Sequence, residues 1–315
     1  MSFTNKLLAV MGPFPKADTW EATLQVPTVK VTEQQVRGNI VTEHLEIVTP
    51  DGDDLPALLQ YSTTLTAPAP GILCLHQTTR DPAIGKREPA GLEGDPEFAY
   101  GYELAQRGFV TLMPDYPKFG TYPVTESDIY DGFGYESITL KALVNHSTAL
   151  SFLAHLDRVD RDKLGCLGHS LGGSNTLFLT CFDERIKVIA VSCGFSTFAA
   201  YAEHRPQQNL QGWSRPDKYM PLIHTQFQDD PTLMPFDFPE LMIYLAPLPM
   251  FINAPQYDDV FPFQGVEHTL LQFTELYNVL GLSDRFEAHS PEVAHSFPEE
   301  IRDRAYRFIE THLST

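Results

Sequence analysis

The stretch Leu164-Gly-Cys-Leu-Gly168-His169-Ser170-Leu171-Gly172-Gly173 decides how this chain is read. An apolar run of strand length, residues 164–168, meets a G-x-S-x-G at Gly168, Ser170 and Gly172, and a helical pattern follows over 171–182. In that order the serine occupies a sharp strand-to-helix turn, where small neighbours are needed because flanking backbone approaches closely. Its hydroxyl is then exposed. The helix N-terminus aims unpaired N–H groups and a positive dipole end at any oxyanion formed there.

Outward from the motif, the same strand-helix rhythm recurs. Residues 71–76, 109–114, 186–192 and 249–253 are near-continuous apolar runs, and 286–289 reads as a short strand. Runs of this kind suit strands buried on both faces. Helical patterns over 97–107, 137–156, 266–280 and 298–312 separate them, with Gly108 and Gly281 where helix C-caps are wanted. The alternation predicts an α/β fold: a mostly parallel central sheet with helices on both faces. Two earlier strands, 44–49 and 55–61, joined by Pro50-Asp51-Gly52, predict an antiparallel entrance.

One region breaks the rhythm. Residues 195–248 are dense in Pro, Gln, Asp and aromatics, including Trp213, Tyr219, Phe227, Phe236 and Phe238. That is too long for an ordinary loop and too aromatic for a flexible linker. The expectation is one domain over 1–315 with 195–248 inserted as a lid of short helices above the C-terminal edge of the sheet. Residues 78–96, which follow a strand directly, should lie along the same rim.

Composition narrows the function. With 22 Lys and Arg against 41 Asp and Glu, the net charge of -19 repels phosphate backbones and anionic membrane surfaces, so no nucleic-acid partner and no membrane partner is expected. No apolar stretch approaches the roughly 20 residues that span a bilayer, and residues 1–20 lack the apolar core of a signal peptide. Cys74, Cys166, Cys181 and Cys193 lie in or beside apolar runs without a C-x-x-C pair, which reads as buried free thiols in a reducing, cytoplasmic setting. Asn145-His146-Ser147 matches a glycosylation sequon inside a predicted helix and reads as coincidence.

A serine at its ordinary pKa is a weak nucleophile; it needs a base, and the base needs an orienting acid. After such a motif the expected chain order is Ser, then Asp or Glu, then His. Asp258 and Asp259 follow the strand 249–253, and His295 lies in the loop between the strand 286–289 and the last helix. His289 is a rival that falls at the strand end, several residues early. No H-E-x-x-H, zinc spacing, phosphate loop or complete dinucleotide fingerprint occurs, so neither metal nor cofactor is expected.

These features together resemble the α/β-hydrolase superfamily, and within it esterases similar to dienelactone hydrolase and to the acetyl xylan esterase or cephalosporin deacetylase group. The resemblance spans roughly residues 40–313. It is carried by Gly71-Ile-Leu-Cys-Leu-His76, Pro114-Asp115-Tyr116, Gly168-His-Ser-Leu-Gly-Gly173, residues 258–262 and Ala294-His-Ser-Phe-Pro298. The acid in such enzymes commonly sits in a D-x-x-x-P pattern, which implies Asp258 ahead of Pro262. An oxyanion hole would use the N–H of Leu171 and one from the loop after His76. Thr78 stands at the usual donor position with Gln77 as the second choice, and Gln77 replaces the family's glycine.

The resemblance implies hydrolysis of a small or short-acyl carboxylic ester through an acyl-enzyme, with Ser170, His295 and Asp258 as triad. Dienelactone, thioester or peptide hydrolysis on the same residues, and a non-catalytic ligand-binding role, stay open. His76 reads as structural. Arg80, Lys86 and Arg87 read as a solvated basic loop rather than a substrate anchor, and the aromatics of 195–248 mostly as the insertion's own core.

Overall fold

The computed structural model describes residues 2–314. Among these, the strands are β1 (Val29–Arg37), β2 (Ile40–Val48), β3 (Asp54–Ser62), β4 (Ala69–Leu75), β5 (Val110–Pro114), β6 (Val159–His169), β7 (Ile186–Ser192), β8 (Met250–Asn253) and β9 (Phe286–His289). All join one sheet in the order β1-β2-β3-β5-β4-β6-β7-β8-β9. β1, β2, β3 and β5 pair antiparallel, and from β5 through β4 to β9 every pairing is parallel.

The helices are α1 (Phe3–Met11), α2 (Thr19–Thr23), α3 (Tyr100–Gln106), α4 (Ile138–Ala154), α5 (Leu171–Thr180), α6 (Phe198–His204), α7 (Leu222–Phe227), α8 (Phe238–Leu245), α9 (Gln264–Val279) and α10 (Glu299–Leu313). Strand side chains alternate between two apolar clusters, as the pleat requires. Ile72, Cys74, Leu167 and Val188 meet Tyr100 and Leu104 of α3 and Ala305 and Ile309 of α10. Their neighbours Leu73, Leu75, Cys166 and Ile189 meet α4, α5 and α9 on the other face. Burial on both faces is why the inner strands read as unbroken apolar runs.

The chain order reverses at β4, which has β5 on one side and β6 on the other. In open α/β sheets ligands bind outside the strands' carboxyl ends at such a reversal. The segments after β4 and β6 both start there. Residues 195–248 leave the sheet after β7 and return at β8 as short helices α6, α7 and α8. Phe198, Trp213 and Phe238 pack together, with ring centroids 5.3–6.0 Å apart, and Phe238 and Trp213 also reach Phe178 of α5.

The sequence reading missed three elements: β1, α1 and α2. The helix expected over 97–107 starts only at Tyr100, after a 3-10 turn at Pro96–Phe98. The basic rim also differs from expectation. Lys86 is buried, not solvated: its ammonium binds the Asp115 carboxylate and the Thr121 hydroxyl (2.6 Å), and Arg87 pairs with Glu93. All four cysteines are buried free thiols, and Asn145 is fully buried. No described helix is long and apolar enough to cross a membrane.

Candidate active site

Ser170 stands between β6 and α5 with φ 54° and ψ -118°, a conformation that a non-glycine residue holds only when its surroundings impose it. Three contacts impose it. The Ser170 N–H donates to the Ser192 carbonyl at the end of β7 (2.8 Å). A Cβ on Gly172 would fall 1.9 Å from the Leu75 carbonyl oxygen of β4, and one on Gly168 would fall 2.2 Å from the Gly172 oxygen. Both glycines of the motif are therefore required by backbone packing, and the turn they permit leaves Ser170 facing a cavity.

That cavity, about 290 Å³, is lined by Ser170 and Leu171, by Gln77 and Thr78 from the segment after β4, by Tyr201, Trp213 and Tyr219 from the insertion, and by Phe261 and His295 among others. Among the described residues that line it, none is Asp, Glu, Lys or Arg. Leu171 is the first residue of α5, so its N–H has no partner within the helix. Thr78 Oγ1 lies 2.9 Å from the Tyr219 hydroxyl, and the Gln77 side-chain amide is turned away, donating to Glu88 (2.9 Å).

His295 meets Asp258 and not Asp259. Its Nδ1 lies 3.0 and 2.9 Å from the two Asp258 oxygens, whereas Asp259 is exposed. Asp258 Oδ1 also accepts the N–H groups of Val260 and Phe261, both at 2.8 Å. Burial pushes the Asp258 carboxyl up, but the hydrogen bond and charge of His295 and the two backbone donors outweigh it, so the group stays below the ordinary carboxylate range. An ionised carboxylate only accepts, so His295 Nδ1 carries a proton, and whenever the ring is neutral its lone pair is on Nε2. His295 and Ser170 share the cavity wall without a direct hydrogen bond; such contacts are often loose before substrate arrives.

The other histidines fall into supporting places. His76 is buried, accepts the Tyr116 N–H at Nε2 (2.9 Å) and donates from Nδ1 to the Gln77 carbonyl (2.7 Å), which fixes the start of the 77–79 segment. Burial lowers its pKa. His289 pairs with Glu287 (2.6 Å) and does not line the cavity. His169, not singled out from sequence, lies with its ring 4.8 Å from that of His295 and its Nδ1 2.8 Å from Ser192 Oγ. Burial holds it well below the usual histidine range, so it backs His295 as a neutral ring. Tyr201, Val260 and Phe261 were also missed as wall residues: the first lies in the stretch 195–248, and the other two are inner positions of the D-x-x-x-P pattern, whose side chains the pattern leaves unspecified.

No protein-family model matches the chain. Over 312 residues it is 23% identical to YtaP of Bacillus subtilis (strain 168), a protein provisionally named a hydrolase, with 97% of each chain covered. Solved structures align over most of its length. Acetyl xylan esterase from Paenibacillus sp. R4 superposes with a TM-score of 0.66 at 18% identity, covering 99% of this chain and 100% of that one. Acetyl xylan esterase 1 from Thermoanaerobacterium sp. JW/SL YS485 gives 0.64 at 15%, covering 100% and 99%. A glucuronoyl esterase from Solibacter usitatus gives 0.67 at 15%, covering 91% and 86%. The chain has the α/β-hydrolase fold, as its motifs led one to expect, and acetyl xylan esterases are among its structural neighbours.

Proposed function

We propose that this α/β-hydrolase-fold chain is a serine hydrolase of small, short-acyl carboxylic esters. The observation that carries the reading is that one cavity joins a strained Ser170 to a His295 whose Nδ1 is held by a buried Asp258. Ser170 Oγ attacks the ester carbonyl while His295 Nε2 takes its proton. The tetrahedral oxyanion is received by the N–H of Leu171 and one from Thr78, with Gln77 the alternative. His295 then protonates the leaving alcohol, and water repeats the sequence on the acyl-enzyme. Asp258 fixes the tautomer and stabilises the imidazolium. The names of the structural neighbours, which are esterases, support the bond type.

The chain works as one domain in which residues 195–248 form the lid. Tyr201, Trp213 and Tyr219 line the cavity from that side, and their bulk supports a compact uncharged acyl group over a long chain. A panel of p-nitrophenyl esters, acyl thioesters and aminoacyl amides tests the reading. Turnover of short esters that Ser170→Ala abolishes supports it, and turnover confined to thioesters or amides refutes the bond type.

A further inference from the structure

His295 sits in a loop, residues 290–298, that has no helix or strand of its own. Its hydrogen bond to Asp258 fixes one ring nitrogen and leaves the ring free to swing about that contact. The position of Nε2 relative to Ser170 therefore depends on what holds the loop backbone. The two residues after His295 are gripped by one side chain, 199 and 200 positions away: Glu97 Oε1 accepts the Ser296 hydroxyl and the Phe297 N–H (2.5 Å). The Ser296 carbonyl accepts from Asn253 Nδ2 (2.9 Å), and the Phe297 carbonyl from Arg302 (2.7 Å). Glu97 differs from these partners in where it comes from. It belongs to the segment between β4 and α3 that also carries Gln77 and Thr78, so it ties the base loop to the segment expected to supply an oxyanion donor. The next residue, Phe98, packs its ring 4.4 Å from His169, which backs His295 in turn.

Resting on the hydrolase reading above, we propose that Glu97 is a positioning residue: its carboxylate fixes Ser296 and Phe297 and thereby holds the His295 imidazole between Asp258 and Ser170. It touches neither substrate nor the reacting atoms. Its effect should fall on the chemical step, because a displacement of about 1 Å at a reacting group costs on the order of a hundredfold in rate.

The test compares Glu97→Ala, Glu97→Gln and Ser296→Ala with wild type in p-nitrophenyl acetate hydrolysis, in the rate of fluorophosphonate labelling of Ser170, and in thermal midpoint. Glu97→Ala should lower kcat and the labelling rate together, by about ten- to a hundredfold, with KM within about twofold. Glu97→Gln, whose amide oxygen still accepts the Phe297 N–H, should recover most of the loss, and Ser296→Ala should fall between. If Glu97→Ala does not fold, Ser296→Ala decides: a slower kcat at unchanged midpoint supports the role, and wild-type rates refute it. Undiminished kcat and labelling in Glu97→Ala, or a loss borne by KM alone, overturns the proposal while leaving the hydrolase reading standing. A wild-type protein that neither labels nor hydrolyses overturns both.

Discussion

Asp258→Asn should remove most activity while leaving the fold intact, and the geometry shows why. Asp258 Oδ1 accepts two backbone N–H groups, from Val260 and Phe261, each at 2.8 Å. An asparagine has one oxygen and one NH2, and only its oxygen satisfies those two donors, so the oxygen takes the Oδ1 place. The NH2 is then left at the Oδ2 place, 2.9 Å from His295 Nδ1. Two donors cannot face each other. The imidazole shifts its proton to Nε2 so that Nδ1 accepts, and Nε2–H can no longer take the Ser170 proton. Loss of the working tautomer costs about two to four orders of magnitude in kcat. Asp259→Asn, at an exposed neighbour, should cost less than about tenfold by the same reasoning. Steady-state p-nitrophenyl acetate hydrolysis with both variants at matched thermal midpoints reads the difference. Equal rates for Asp258→Asn and wild type, or the reverse ranking of the two variants, refute the assignment of the acid.

Other outcomes follow from the cavity, the turn at Ser170 and the buried charges. With a cavity of about 290 Å³ walled on one side by aromatics, kcat/KM for p-nitrophenyl acetate or butyrate should exceed that for the decanoate by at least about tenfold, measured below the micellar concentration; equal activity would mean the insertion forms an acyl channel. Gly172→Ala should abolish soluble, active protein or sharply lower its thermal midpoint, because its Cβ meets the Leu75 carbonyl oxygen at 1.9 Å, and a wild-type midpoint would contradict the turn geometry. Lys141, fully buried in α4, binds Asp51 (2.8 Å), Asp53 (3.1 Å) and Asn145 (3.0 Å), so Lys141→Ala should destabilise by about 3 kcal/mol or more in urea unfolding. Burial pushes Asp51 up, but Lys141 and the Thr49 and Tyr135 hydroxyls bring it below its ordinary 3.8. A depressed carboxyl contributes stability that is complete above its unfolded pKa and is lost as pH falls through the folded value, so the wild-type midpoint should drop below about pH 4 and the slope should flatten in Asp51→Asn.

The inner strands were legible because both of their faces are buried, which writes an unbroken apolar run into the sequence. β1 was not: it lies at the sheet edge, almost wholly exposed, and Lys30, Thr32, Glu33, Gln34, Gln35 and Arg37 give no alternation to read. α1 carried a usable signal, since Phe3, Leu7, Val10 and Met11 fall at helical spacing and are buried, although the segment's short apolar run between Leu7 and Met11 stands out less than the two prolines that follow it. The turn at Ser170 could be read because its demands are local, a strand, two glycines and a helix. The choice between Asp258 and Asp259 is not local. Adjacent identical residues differ only in which one the fold turns inward, and a family pattern had to stand in for geometry. Lys86 and Glu97 were opaque for a related reason: the first is buried by Asp115, the second reaches a loop 200 residues on, and neither partner leaves a mark on the sequence around it.

Intact-mass analysis after fluorophosphonate treatment, followed by peptide mapping, tests the central claim most directly. The account predicts one phosphonyl adduct per wild-type chain, on Ser170, and none on Ser170→Ala of unchanged thermal midpoint. An adduct on another serine, or an unlabelled wild-type protein that still hydrolyses esters, would contradict it.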